Sequence, residues 1–399
     1  MSEPQRFDLV LVGAGMVGSL FLLRLLQDPA LARLKVAVIE AADAALPPPE
    51  APYSLRVSSL SPGSEALIRA VGCGEALLAQ RHCAFTDMVV WDADGTGQIH
   101  FRAADVGEPH LGLLLENDRI QGVLQAALWA LPQVVRLCAD RLQDLQRMAA
   151  GWHLRTAAGL ALETPCVVAA DGALSPTREL AGIGHAVWDY AQHGLVATVR
   201  CAHGHESTAW QRFLPSGPLA FLPLADGHLV SIVWTLPTAE ARRLREVPEE
   251  VFARELAQAF EHRLGEVSLV SERASFPLLA RHADRYERQG LVLLGDAAHA
   301  IHPLAGQGVN LGFQDADVLA REMQQAEAAG LGFAHERALR RYSRARRARN
   351  GLFMHSMTAL DWLFGHDNSW LRLVRNEGLK RFNALAPVKR LVMRQALGR

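Results

Sequence analysis

Residues 7–13 read FDLVLVG, an apolar run stopped by Gly13. Without a polar position every second residue, such a run predicts a strand buried on both faces. MVGSLFLLRLL (16–26) follows as a helix, and KVAVIE (35–40) as a second buried strand. Residues 65–71 predict a short helix closed by Gly72, and 47–49, three prolines, a loop. Residues 88–91 and 98–102 flank Asp94-Gly95, which predicts a hairpin. In 118–130 the apolar residues Ile120, Val123, Leu124, Ala127 and Leu128 recur at helical spacing. Residues 165–170 form a strand that ends at Asp171-Gly172. Between 194 and 236 the texture changes to LVATVR, LAFLPL and HLVSIVW, separated by turn residues, which predicts mostly antiparallel sheet. A helix is expected over 249–263, a strand over 290–295, and a helix over 312–329 with Ala316, Leu319, Ala320 and Met323 on one face. The remainder reads as helical.

This order predicts an α/β fold: a doubly wound, Rossmann-like domain interrupted by a β-rich one, with a helical C-terminal region. The expected division is 1–75, 113–182 and 285–340 for the Rossmann-like domain. Residues 76–112 and 183–284 make the interleaved β-rich domain, and 341–399 the helical region. With 50% hydrophobic and 21% charged residues among 399, a sizeable core is within reach. Five scattered cysteines form no CxxC pair, so neither a disulfide framework nor a metal site is expected, and a reducing cytoplasm fits. The apolar stretch 9–26 contains Arg24 and three glycines and runs on without a cleavage site, so it is read as neither signal peptide nor membrane span. The net charge of −1 hides an asymmetry. Residues 337–399 hold fifteen Lys/Arg against three acids, a net +12, which leaves −13 on the rest. That tail is either a solvated helix face or the side that meets a lipid surface or an acidic partner. No nucleic-acid partner is expected.

Four segments carry candidate chemistry. Gly13, Gly15 and Gly18 form GxGxxG between strand and helix. The three serve a tight turn, close approach of a pyrophosphate, and helix–strand packing, and the helix N-terminus attracts phosphate. Glu40 ends the next strand, where a carboxylate binds a ribose hydroxyl. Asp171 to Arg178 fit DGxxSxxR, with a capped turn as the plain alternative. Gly295-Asp296 ends another strand, with the carboxylate set for a sugar-alcohol contact or, more plainly, as a helix N-cap. HPLAGQGVN, residues 302–310, opens a helix. Gly306 and Gly308 let backbone N–H groups approach a flat ring, and the dipole favours negative charge there, as on a reduced flavin.

In this order and spacing the four segments resemble the single-component flavoprotein aromatic hydroxylases. HPxAGQGxNxGxxD is similar to the subgroup that hydroxylates polyprenyl phenols in ubiquinone biosynthesis. YSLRVSSLSPGS (53–64) and VRNEGLK (374–380) extend the resemblance over nearly the whole chain.

The resemblance implies FAD lying extended, its adenine end toward Glu40. It implies contacts from Asp171 and Arg178 to FAD and reduced nicotinamide, and from Asp296 to the ribitol. Gly306, Gln307, Gly308, Val309 and Asn310 would support the isoalloxazine, with further FAD contacts from Arg56 and Asn117. Pro303 would sit near the reacting centre, with Gly306, Gln307 and Gly308 beside it. The implied reaction is a monooxygenation in which NAD(P)H reduces the flavin and O2 supplies the oxygen passed to a phenol ring. Ala220, Phe221, Leu222, Leu224, Ile232 and Trp234 are expected as wall over that ring, ordinary core being the alternative for each. Tyr190, His193, His299 and His302 are candidate bases by residue type only, and His299 is expected to be structural. A prenylated substrate implies a membrane-side approach, with the basic C-terminal region as the surface that meets lipid or an assembly partner. A soluble phenol or polyketide substrate, or a flavin reductase without oxygen chemistry, remains the alternative.

Overall fold

The computed structural model describes residues 3–42, 45–93, 97–301, 308–365, 383 and 385–398. The expectations for His302, Pro303, Gly306, Gln307, Asp94-Gly95 and 374–380 lie outside the described residues.

A six-stranded sheet runs Glu287–Arg288, Leu291–Leu293, Cys166–Ala169, Leu9–Val12, Val36–Glu40, Val134–Cys138. All neighbours are parallel except the Glu287–Arg288 edge. Parallel strands need cover on both faces, and every residue of Leu9–Val12 and Cys166–Ala169 is buried. Helix Met16–Leu25 packs against Asn117–Trp129 and Gly308–Ala328 to supply one layer. The expected double winding is not complete. Val134–Cys138 connects to Cys166–Ala169 through an antiparallel meander, Leu142–Met148, Gly151–Thr156 and Ala161–Thr164, where a helix would otherwise cross. Its Leu145, Trp152, Leu154 and Leu162 join the core beneath the parallel sheet. The alternation in LETPCVVAAD is masked by the following strand, so the meander was not legible.

The second layer is a nine-stranded sheet. Its path runs His299–Ala300, Ala274–Ala283, His185–Cys201, Leu229–Pro237, Gly217–Pro223, Thr208–Leu214, Asp87–Asp92, Gln98–Arg102, with Val267–Leu269 paired to His185–Cys201. The predicted hairpin forms, with Trp91 opposite Gln98. It joins Thr208–Leu214 by the sheet's parallel pairing, Asp87 beside Thr208. Strands from 87–102 and from 185–283 therefore lie in one sheet. The boundary at 340/341 does not hold. A single helix, Glu336–Gly365, crosses it and packs on Gly308–Ala328.

Period two sorts the second sheet's side chains. Phe221, Ile232 and Trp234 enter a core with Phe252, Leu256 and Phe260 from helix Glu249–Ala259 and its end. Phe221 and Phe260 stack with ring centroids 3.7 Å apart. Ala220, Leu222 and Val233, one residue out of step, face the other way, toward the parallel sheet. Helix Ala386–Ala396 closes the far side, with Met393 and Leu397 buried against Phe85, Leu111 and Leu114.

Candidate active site

A cavity of 970 Å³ lies between the two sheets, near the top of the usual range of about 300–1,000 Å³ for ligand sites. Its first end is the glycine turn. Gly13 has φ +93°, and a Cβ there would sit 2.4 Å from the Ala170 carbonyl oxygen. A Cβ on Gly18 would lie 2.2 Å from the Gly13 oxygen, whereas one on Gly15 would meet no atom within 4 Å. The glycines thus divide as expected into turn, open approach and close packing. Gly15 caps helix Met16–Leu25 without a side-chain hydrogen bond, which leaves the first N–H groups for a phosphate. Glu40 Oε2 accepts from Ala14 N at 2.5 Å and Oε1 from Ala42 N at 3.0 Å. Its carboxylate braces the turn and also lines the cavity, where its remaining lone pairs suit ribose hydroxyls. Asp140 and Arg141 line this end too, although no motif had marked them.

In the middle stand Arg56, Asn117, Asp171 and Asp296. Asn117 Oδ1 accepts from Ser58 Oγ at 2.6 Å. Asp171 Oδ2 accepts from Thr177 N at 3.0 Å, while its buried Oδ1 has no partner among the described residues. Asp296 follows strand Leu291–Leu293 in the turn Gly295–Ala297. It lines the cavity and is exposed between two buried neighbours. The protein packed around the crevice desolvates it and raises its pKa, opposed by His299 and Arg56. Such a carboxyl gains from hydroxyl donors such as a ribitol chain.

The third end is the start of helix Gly308–Ala328. Gly308 and Val309 line the cavity, and a Cβ on Gly308 would touch nothing within 4 Å. Asn310 departs from the expected ring contact. It is buried, its Oδ1 accepts from Ser61 N at 2.9 Å, and its Nδ2 donates to the Ser59 carbonyl at 2.7 Å. Its side chain staples the helix start to strand Val57–Leu60 and is not on the cavity wall. Arg178 likewise lies off the wall. Buried, it donates to the carbonyls of Ala297 at 2.9 Å and Ala173 at 3.2 Å, and so ties the two aspartate-bearing turns together. Its burial pulls the guanidinium pKa down.

His299 is structural, as expected. Its Nε2 meets Asp315 Oδ2 at 2.5 Å, and Asp315 is also bound by Arg346 and, at 3.2 Å, by Asn350 Nδ2. This fully buried network joins the turn, the ring-seat helix and helix Glu336–Gly365. Burial raises the Asp315 pKa, but His299 and Arg346 outweigh it and hold the carboxyl below its ordinary value. Arg346 is thus one of the tail's cations that serves the interior.

Beyond the ring seat the cavity opens into a chamber walled by Phe85, Met88, Phe101, Val196, Leu222 and Phe276, and at its end by Val392, Met393, Ala396 and Leu397. Two of the six residues expected as wall are there. Ala220 and Leu222 line the chamber, but Phe221, Leu224, Ile232 and Trp234 do not, because alternation turns them into the opposite core or away from the cavity. Tyr190 and His193 are also off the chamber wall. The C-terminal helix and the uncharged Gln211 and Thr235 on the wall were missed. Period two within 208–214 and 229–237 was the signal that could have found the last two.

Glycine-lined approach, sugar-facing carboxylates and an open helix start fit an extended dinucleotide with a flat ring at its end. Residues 8–355 match the FAD binding domain family, which makes this a flavoprotein fold of known class. Over 394 residues the chain is 36% identical to 3-demethoxyubiquinol 3-hydroxylase of Escherichia coli (strain K12), covering 99% of each. It is 33% identical to ubiquinone hydroxylase UbiL of Rhodospirillum rubrum, over 98% of this chain and 89% of that one. The chain belongs to the family of FAD-dependent ubiquinone-biosynthesis hydroxylases. Among solved structures, p-nitrophenol 4-monooxygenase PnpA of Pseudomonas putida DLL-E4 superposes with a TM-score of 0.78 at 20% identity, covering 98% of each chain, a likeness of fold.

Proposed function

We propose that this chain hydroxylates the aromatic ring of a polyprenylated phenol in ubiquinone biosynthesis, using FAD, NAD(P)H as reductant and O2. The observation that carries the substrate reading is the chamber. Every charged residue among the described cavity wall (Glu40, Arg56, Asp140, Arg141, Asp171, Asp296) belongs to the dinucleotide end, and the chamber end is apolar. A soluble phenol with a carboxylate would find no cation among the described chamber residues, whereas a prenyl chain gains from burial at about 25 cal/mol per Å².

When bound, FAD supplies the activation of O2 and the transfer of one oxygen atom. The chain's part is placement. Gly15 and the following helix N-terminus receive the pyrophosphate, Glu40 the ribose, Asp296 the ribitol, and Gly308 with Val309 the ring. Leu222, Phe276 and the C-terminal helix exclude water from the chamber, which protects the oxidising equivalent from loss as hydrogen peroxide. Among the described chamber residues no side chain is a base, so phenol deprotonation is not assigned to this wall.

Helix Ala386–Ala396 supports the membrane-side approach. Leu385, Val388, Leu391 and Val392 are exposed in one stripe, Arg390 and Arg394 flank it, and the segment contains no acid. Val392 belongs both to this stripe and to the chamber wall. We read the stripe as resting on an anionic bilayer, from which the prenyl tail enters. No described helix is long and apolar enough to cross a membrane.

The test is quinone profiling in a strain lacking this protein. A prenyl phenol short of one hydroxyl should accumulate, and an unchanged quinone pool would refute the reading. For the helix, holoprotein should sediment with phosphatidylglycerol vesicles, and a Val388→Ser/Leu391→Ser variant should do so about tenfold less. Equal binding by the variant would remove the membrane part.

A further inference from the structure

Gln211 breaks the pattern of the chamber wall. It lies in the middle of strand Thr208–Leu214, opposite Ala220 on one side and Val90 on the other. It is 6% exposed and lines the cavity. Its amide makes no hydrogen bond among the described residues. Around it on the same face stand Ala209, Ala220 and, beyond Ala220, Val233, small or branched groups that leave the amide open to the chamber without covering it.

A buried amide normally has partners, because an orphaned one forfeits its hydration. Here the empty space beside it is the place where a ligand belongs. A primary amide offers two donors and one carbonyl acceptor, fixed in a plane. That set matches an oxygen substituent on a flat ring, a phenol hydroxyl or a methoxyl oxygen, and it carries no charge that would draw in water. Thr235, also buried and on the same wall two strands away, is the other polar side chain of this sheet face that lines the chamber.

We propose that the Gln211 amide holds an oxygen substituent of the aromatic substrate and so fixes which ring carbon is turned toward the flavin seat. The tail end of the chamber is apolar and lets a prenyl chain slide, so the ring needs a polar anchor to keep one orientation. A site built to hydrogen-bond an oxygen rejects the analogue without it far more strongly than an apolar site does. The prenyl identity of the substrate rests on the reading above. The anchor itself requires only an oxygenated aromatic ring.

The experiment uses FAD-loaded full chain, wild type and Gln211→Met, with Gln211→Leu in its place should the first not yield folded holoprotein. The probes are a short-chain prenyl phenol and the same ring with its hydroxyl replaced by hydrogen, titrated by calorimetry. Wild type should bind the phenol roughly tenfold or more tighter than the deoxy analogue, and Gln211→Met should bring the two within about threefold at unchanged FAD content. Turnover of the phenol by the variant should give mixed ring positions and more hydrogen peroxide. An analogue preference that survives in the variant overturns the proposal. So does a variant that loses FAD while keeping that preference, since the amide would then serve the flavin. If wild type hydroxylates prenyl phenols and only the preference fails to depend on Gln211, the anchor is wrong and the substrate reading stands. If Gln211 governs ring binding but no prenyl phenol is turned over, the reverse holds.

Discussion

A side chain on Gly308 would project into open cavity, whereas one on Gly18 would collide with the Gly13 carbonyl at 2.2 Å. Two glycine substitutions therefore separate ligand fit from folding. Gly308→Val should leave thermal stability within the roughly 0.5 kcal/mol typical of surface changes while it abolishes the ring seat and turnover. Gly18→Ala should cost about 1–3 kcal/mol as an overpacked contact. Equal loss of stability in the two would contradict this placement. Asp296→Ala should weaken FAD retention by about tenfold, in line with about 1.5–3 kcal/mol for a hydrogen bond to a charged group. Undiminished holoprotein yield would exclude the ribitol role. At this scale the sequence was informative where geometry is local. GxGxxG dictates its own backbone, and each glycine behaves as its position in the motif demands. The side-chain partners of Asn310 and Arg178 were not legible, because a motif records residue type and spacing, not direction. Both point into neighbouring backbone, and that backbone comes from segments distant in sequence.

Among the elements, Gly308–Ala328 and Glu336–Gly365 are joined by a buried polar network. Breaking a buried ion pair from one side costs about 3–5 kcal/mol, so Arg346→Leu should lower stability by that order in urea unfolding; a loss below about 1 kcal/mol would show that Asp315 is satisfied without it. His282, bonded to Tyr286, which stacks on His299, adds a pH signature beside the network. Burial, reinforced by His299, Arg347 and His355, pushes His282 down to about 4 from 6.5. Its folded pKa is the lower one, so the unfolded chain binds the extra proton. The stability contributed by the neutral ring is complete above 6.5 and is lost as pH falls from there through about 4. The melting temperature should decline across that window, and His282→Gln, which can keep the 2.8 Å contact with Tyr286, should flatten the decline. Parallel slopes for the two proteins would refute the assignment. Helix and strand existence was largely readable from periodicity. The face each strand presents was not, because a one-residue error in phase exchanges wall for core, as with Phe221 and Ala220.

For the whole molecule, the basic tail resolves into two parts with different duties. Arg340, Arg341 and Arg346 meet Glu287, Glu322 and Asp315 and bind the long helix to the body. Arg390 and Arg394 stay exposed on the last described helix. Composition revealed the excess charge but not this division, since acids far away in sequence supply the partners. Lys389 shows how firmly that helix is seated. It is buried, pairs with Asp105 at 3.1 Å and donates to the His100 carbonyl. A chain ending at residue 385 should therefore keep FAD but release a larger share of reducing equivalents as hydrogen peroxide, measured as peroxide per NAD(P)H consumed. Tight coupling in the shortened protein would show that the chamber does not depend on its end wall.

The side-by-side pairing of Asp87–Asp92 with Thr208–Leu214 also bears on biosynthesis. As the chain emerges from the ribosome, the early hairpin has a free edge until a strand that begins only at Thr208 has been made. Non-local pairing of this kind is slow and leaves an adhesive edge in the interim. A nascent chain stalled before that point should be captured by a chaperone or a protease, and refolding of the finished protein should be limited by closure of this one seam.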